Sequence, residues 1–377
     1  MKAVVIGGGI GGLASAVALS RAGHEVEVLE QAPEFSEVGA GLSLWPNAVR
    51  ALDALGVGNA VRARSATPRQ GGIRDSAGRW LARQDVAAIT RRFGPLLMVH
   101  RADLLDVLHD AVPPAALRAG TRVEDVTEDG LVRHSAGESR GDVVIGADGT
   151  NSTVRQRLWR SAAPPRYAGY VAYRMLTTPV DLADEGGETW GRGERFGYVP
   201  LPDGRYYCFA AVTAPAGSAS EGLAELRRRF AGWHPPIPEL LEAVPDEDAV
   251  LFHDLADLPP LESYVRGRVA LLGDAAHAMT PNLGQGAGQA IEDAVVLAQA
   301  LGTAGSPTTA GGLTAYDRLR RPRTQGIVER SRMAGEVAQW SHPAAMRLRN
   351  TGLRLLPDRV FNAGLAQVLD WHPEGKA

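Results

Sequence analysis

The sequence predicts an α/β fold. A parallel sheet is built around a βαβ unit, a mostly antiparallel sheet is inserted into it, and helices close the C-terminal end. Three observations predict this. A short apolar strand runs straight into Gly7-x-Gly9-x-x-Gly12 and a helix. Two more strand-to-glycine junctions follow, at 141–149 and 268–273. Between about 160 and 262 the pattern turns to aromatic-rich alternation, which is how half-buried antiparallel strands read.

The first unit is the most informative. KAVVI at 2–6 is a continuous apolar run, as expected of a strand buried on both faces. A helical pattern through Leu13, Val17 and Leu19 reaches Gly23, and a second strand from Glu25 to Leu29 ends at Glu30. Gly7 permits the tight turn, Gly9 lets backbone approach a pyrophosphate, and Gly12 lets helix and strand pack closely. The helix N-terminus offers unpaired N–H groups to the phosphates, and the Glu30 carboxylate can accept from a ribose diol. The unit reads as a Rossmann-type dinucleotide site. By itself it does not separate FAD from NAD(P).

The second junction, GDVVIGADG, places Asp148 and Gly149 after a strand, with Asn151 or Ser152 as N-cap of the helix that follows. In the third, RVALLG ends at Asp274, and AAHAMTPNLGQGAG leads into the helix GQAIEDAVVLAQAL. An Asp at a strand end can bind a ribitol hydroxyl. A glycine loop opening a helix can hold a flavin's pyrimidine edge with N–H groups. The inserted sheet is read from RYAGYVAYRML at 166–176, RFGYVPL at 195–201 and RYYCFAAV at 205–212, with RQGGIRDSAGRWLARQ at 69–84 as a hairpin of the same sheet. Alternation sets Tyr207, Phe209 and Ala211 on one face and Tyr206, Cys208 and Ala210 on the other. The division expected is 1–68, 97–160 and 262–345 for the nucleotide domain, 69–96 and 161–261 for a substrate domain, and 346–377 for a C-terminal helical segment with Leu348, Leu353, Leu356 and Val360.

Composition narrows the class. The chain has 377 residues, enough for about two domains with a large core. Its 44 glycines follow no repeat, which excludes collagen and low complexity. A net charge of -3 gives no nucleic-acid footprint. One cysteine, Cys208, forbids an internal disulfide, a Cys-based zinc site and a CxxC pair, and suits a reducing cytoplasm. No clustered His/Asp/Glu pattern points to a metal. The apolar stretch from Ala3 to Leu19 is interrupted by glycines and runs into a strand, so neither a signal peptide nor a membrane span is expected.

Three motifs in this order, GGGIGG…VLE, GADGTNSTVR and GDAAHAMTPNLGQGAGQAIEDAVVLAQAL, resemble the single-component FAD-dependent aromatic hydroxylases, which include salicylate, 3-hydroxybenzoate and urate hydroxylases. GAGLSLWPNAVRALDALG at 39–56 and HRADLLDVL at 100–108 also look like that family. The resemblance implies non-covalent FAD and NADH or NADPH as a transient co-substrate without its own domain. It implies hydroxylation of an electron-rich aromatic or heteroaromatic small molecule with O2, through a flavin C4a-hydroperoxide. It matches Gly7, Gly9, Gly12 and Glu30 to the ADP-binding fingerprint, and Arg101 to an FAD-contacting arginine. Asp148 and Gly149 match a motif contacting FAD and NAD(P)H, and Asp274 a ribityl- and phosphate-contacting aspartate. Pro281, Leu283, Gly284, Gln285 and Gly286 match the flavin-edge loop. His277 is expected to be structural.

The inserted region resembles the urate-hydroxylase branch most, through RYAGYV, RFGYVPL, GRYYCF and FAGWHPPI. There an arginine and a tyrosine engage the anionic substrate, and they fall on Arg195 and Tyr207. The branch's Asp after the loop proline is Asn282 here, which puts urate in doubt and leaves Arg195 free to pair with a substrate carboxylate or phenolate. An exposed strand arginine and a core tyrosine are the alternative. A flavin oxidoreductase without oxygen insertion, or a ligand-binding protein without turnover, stay open as other functions. A monomer or a homodimer is expected.

Overall fold

The computed structural model describes residues 1–35, 40–182, 185–302, 309–356, 364 and 366–373. A six-stranded sheet is built on Lys2–Ile6, flanked by Val143–Gly146 and Glu25–Leu29, all parallel. Val269–Leu271 pairs parallel with Val143–Gly146, so the three strand ends that precede the glycine junctions lie side by side. These strands are fully apolar because both faces are covered. Helices Ile10–Arg21 and Gly286–Leu301 pack together on one side, and the core they share runs from Ala3 through Tyr316.

The alternating region forms a seven-stranded sheet in the order Val250–Asp257, Arg166–Leu176, Tyr206–Thr213, Glu194–Pro200, Gly187–Trp190, Gly71–Asp75, Trp80–Gln84. All neighbours are antiparallel except Gly187–Trp190 with Gly71–Asp75. That parallel contact is how the 69–84 hairpin joins the sheet. One face buries Tyr206, Cys208 and Ala210 against Leu226, Phe230 and Leu240, and the other turns toward the glycine junctions.

Helix Thr309–Ala338 lies against Gly286–Leu301 and carries the buried Arg320. Helix Pro343–Leu355 follows. It leaves Leu348 69% exposed, while Val360 lies outside the described residues. Among the described residues no helix is long and apolar enough to cross a membrane.

Candidate active site

A cavity of about 700 Å³ lies between the C-terminal ends of the parallel strands and the open face of the seven-stranded sheet. Gly7, Gly9, Glu30, Arg101, Asp148, Gly149, Asp274, Pro281, Gly284, Gln285 and Gly286 all line it, as do Arg195 and Tyr207.

At one end the fingerprint glycines do different work. Gly7 has φ +106°, and a Cβ there falls 2.4 Å from the Ala147 carbonyl oxygen. A Cβ on Gly12 falls 1.9 Å from the Gly7 oxygen, so this glycine serves helix–strand packing and does not line the cavity. Gly9 faces open space. It caps helix Ile10–Arg21, whose first turn has neither a side-chain cap nor an acid, leaving its N–H groups for a phosphate. The Glu30 Oε2 accepts from the Gly8 N–H at 2.6 Å and Oε1 from the Ala32 N–H at 2.7 Å. A carboxylate has about four acceptor sites, so lone pairs remain for a diol.

The middle is polar. Asp148 accepts from the Ser152 hydroxyl at 2.5 Å and the Val154 N–H at 3.0 Å, so it also anchors helix Thr153–Leu158, capped by Ser152. Burial pushes its carboxyl up, and those hydrogen bonds oppose this. Arg101 opens helix Arg101–Asp110. Burial pulls its pKa down and the charge of Asp274 supports it. Helix Gly286–Leu301 points its N-terminus at the cavity through Gly286 and Ala287, where it favours negative charge. Leu283 departs from expectation. It points away, onto a cluster with Trp45, Met279 and Ile327. The adjacent Gly284 takes the left-handed turn (φ +59°), which returns the chain to the cavity.

These residues fit FAD. An uncapped helix N-terminus meets a glycine with open space before it, an oriented carboxylate lies 22 residues on, and a second helix N-terminus faces the far end.

On the sheet side, Tyr207, Phe209 and Ala211 line the cavity as their alternation predicts. Burial pushes the Tyr207 phenol up, with Arg174 and Arg101 opposing. Cys208, one residue on, is fully buried in the core behind, and burial pushes its thiol up. We expect no reaction with an aromatic disulfide reagent at pH 8 in the native protein and one thiol after unfolding; a native titre near one would overturn this placement. His277 donates from Nε2 to Asp293 Oδ2 at 2.6 Å and is buried, a structural position.

Arg195 requires a correction. It is neither exposed nor free: it is 3% exposed, bonds Glu188 Oε1 at 3.0 Å and donates to Asn282 Oδ1 at 2.8 Å. Strand pairing explains the partner. Glu188 lies on Gly187–Trp190, next to Arg195's strand, and no local spacing signals it. The Asn282 amide is also fixed, donating to Tyr170, Thr280 and the Ser331 carbonyl at 2.7–2.9 Å. Two lining residues were missed by the sequence reading. One is Glu188. The other is Arg174, which lies on the Arg166–Leu176 strand and makes no ion pair or side-chain hydrogen bond among the described residues. It reads as one more cation of an arginine-rich chain until its neighbours are known.

The family model described as "FAD binding domain" matches residues 1–179 and 260–331. The chain belongs to this FAD-binding family. The FAD-binding protein is 40% identical to the aurachin C monooxygenase/isomerase of Stigmatella aurantiaca, over 99% of each chain. It is 35% identical to the FAD-dependent urate hydroxylase of Klebsiella oxytoca, over all of both. Among solved structures, Klebsiella pneumoniae HpxO complexed with FAD and uric acid superposes with a TM-score of 0.91 at 33% identity, over 100% of this chain and 98% of that one. The FAD-binding protein is thus an FAD-dependent monooxygenase of the aromatic-hydroxylase type, with NAD(P)H as co-substrate.

Proposed function

We propose that this monooxygenase hydroxylates an aromatic or heteroaromatic ring held over Ala172, Phe209 and Ala211, of the general kind its urate- and salicylate-hydroxylating relatives use. One observation carries the reading. The same cavity has a dinucleotide-type helix N-terminus at one end and an aromatic-lined sheet face at the other.

The residues proposed to hold FAD are Gly7 and Gly9 with the first helix, which Gly12 seats by packing, Glu30 at the ribose, Arg101, Asp148, Gly149 and Asp274 along the chain, and Pro281, Gly284, Gln285 and Gly286 at the flavin edge. Leu283 acts through packing. When bound, FAD supplies the electron transfer from NAD(P)H and the activation of O2. The protein's part is to place the ring and exclude water. Leu42, Leu255, Leu272 and Met279 provide apolar wall. Tyr207, its phenol kept protonated by burial, orients the substrate by donating a hydrogen bond and can pass a proton. The neutralised Arg195–Glu188 pair anchors the substrate wall to the flavin loop at Asn282, instead of receiving the substrate's charge.

The test is substrate-stimulated NAD(P)H oxidation across phenolic acids, quinolones and purines, with 18O2 incorporation read by mass. Stimulation without incorporated label would favour a reductase. Asp274→Ala should weaken FAD retention roughly 10- to 100-fold, the loss expected for charge-assisted hydrogen bonds. Arg195→Ala should keep its FAD; equal loss in both would place Arg195 with the cofactor residues.

A further inference from the structure

We propose that Arg174, and not Arg195, is the cation that receives the substrate, and that the substrate therefore carries an anionic group such as a carboxylate. This rests on the reading above, in which the ring lies over the sheet face.

The charges around the substrate end decide the matter. Arg195 is matched by Glu188 and its second fork by Asn282. Arg101 lies near Asp274, whose charge supports its own. Among the described residues Arg174 has no such partner. Its charge is felt at Arg101, Tyr207 and His253, and it opposes protonation at both Arg101 and His253. Arg101 and Arg174 thus lie close enough for each to feel the other's charge. A cation without a counterion in a partly desolvated pocket is costly, and an incoming anion removes that cost. A guanidinium also takes a carboxylate through two parallel hydrogen bonds, so it fixes orientation as well as charge.

The sheet register leaves room for the ring. Arg174 lies opposite Phe209, and Ala172 opposite Ala211, which in turn lies opposite Arg195. Arg174 and Arg195 therefore lie on one face, diagonally across the central strand: two strand spacings and two residues apart, about 12 Å. Between them the floor is two alanines and Phe209. The Phe209 ring leans toward the far flank, since a Cβ on Gly197 meets it at 2.2 Å. That leaves the Arg174 side uncovered. A single ring on this floor reaches Arg174 with its acidic substituent while facing the Arg195–Glu188 pair with its other edge.

The test uses purified holoenzyme at pH 7 with salicylate and its neutral amide, salicylamide, as probes, reading Kd from the change in flavin absorbance. The native protein should bind salicylate at least about 10-fold tighter than salicylamide. Arg174→Ala should erase that preference by weakening salicylate alone, and Arg174→Lys should keep part of it. FAD content should match the native protein in both variants. The proposal is overturned if the native protein shows no preference for the acid, if both probes weaken equally in Arg174→Ala, or if that variant releases FAD, which would assign Arg174 to the cofactor's phosphates. Failure of the wider reading looks different: no 18O appears in any product, whichever probe binds.

Discussion

Replacing Arg320 with alanine is expected to destabilise the protein by about 3–5 kcal/mol, the cost of leaving buried charge without its partner. Arg320 is 1% exposed on helix Thr309–Ala338. Its Nε donates to Asp293 Oδ1 at 2.6 Å, one Nη to Glu292 Oε2 at 2.6 Å, and the other to Gln289 Oε1 at 2.8 Å. Glu292 keeps Arg323 as a second cation, but among the described residues Asp293 keeps only His277 and the Gly273 N–H. Asp293 is therefore the group most exposed to the loss. Through Gly273 it also steadies the turn that carries Asp274, and Glu292 accepts from Asn47, which holds Gln285. FAD retention should fall together with the urea midpoint. Arg318→Ala, on the exposed side of the same helix, should change neither. A variant within about 1 kcal/mol of the native protein would mean that water or local rearrangement satisfies both acids.

The same network sets an acid limit. Burial pushes the Glu292 and Asp293 carboxyls up, but Arg320, joined by Arg323 at Glu292 and by His277 at Asp293, more than reverses it, so both sit below the ordinary range. A carboxyl with a depressed folded pKa contributes stability that is fully present above its unfolded value, near 4, and lost as pH falls through the folded value. Stability from these groups should be flat from pH 7 to about 5 and decline below about 4. In Arg320→Ala that decline should be shallower, because the carboxyls lose the partner that depressed them.

What the sequence shows and what it hides follow one physical division. The three strand-to-glycine junctions are legible because strands buried on both faces must be continuously apolar, and because only glycine tolerates the turns and contacts at their ends. The alternation of Tyr206 through Ala211 is legible for a similar reason: one face meets core and the other a cavity. Charge pairing is not legible in this way. Arg320 and Asp293 are 27 residues apart on different helices. Glu188 meets Arg195 only because two strands pair in that register. Asn282 as a missing carboxylate follows from the local sequence. That sequence cannot show that a neighbouring strand supplies the carboxylate, nor that Arg174 is the cation left over. Leu283 likewise sits in a loop whose other members line the cavity, and only the turn at Gly284 decides that its side chain points elsewhere.

Gly12→Ala and Gly9→Ala should both give a colourless protein, but for opposite reasons. At Gly12 the new Cβ lies 1.9 Å from the Gly7 oxygen and 3.0 Å from its carbonyl carbon. Those are backbone atoms, and the Gly7 N–H is tied to the Leu29 carbonyl at 2.8 Å, so no side chain can move aside. Helix Ile10–Arg21 must shift off the strand. Its N–H groups then leave the position where they face a phosphate, and the apoprotein loses packing in the main core. Overpacking of this kind costs about 1–3 kcal/mol or more, so the apoprotein's melting temperature should fall by several degrees along with FAD binding. At Gly9 a Cβ meets nothing of the protein within 4 Å. The apoprotein should melt as the native one does, and only FAD binding should fail, since the methyl occupies the space through which a pyrophosphate reaches the backbone. Thermal melts of the two apoproteins, paired with FAD titrations, separate these cases. Equal melting losses would show that Gly9 is a packing residue, and retained colour in Gly9→Ala would remove it from the phosphate site.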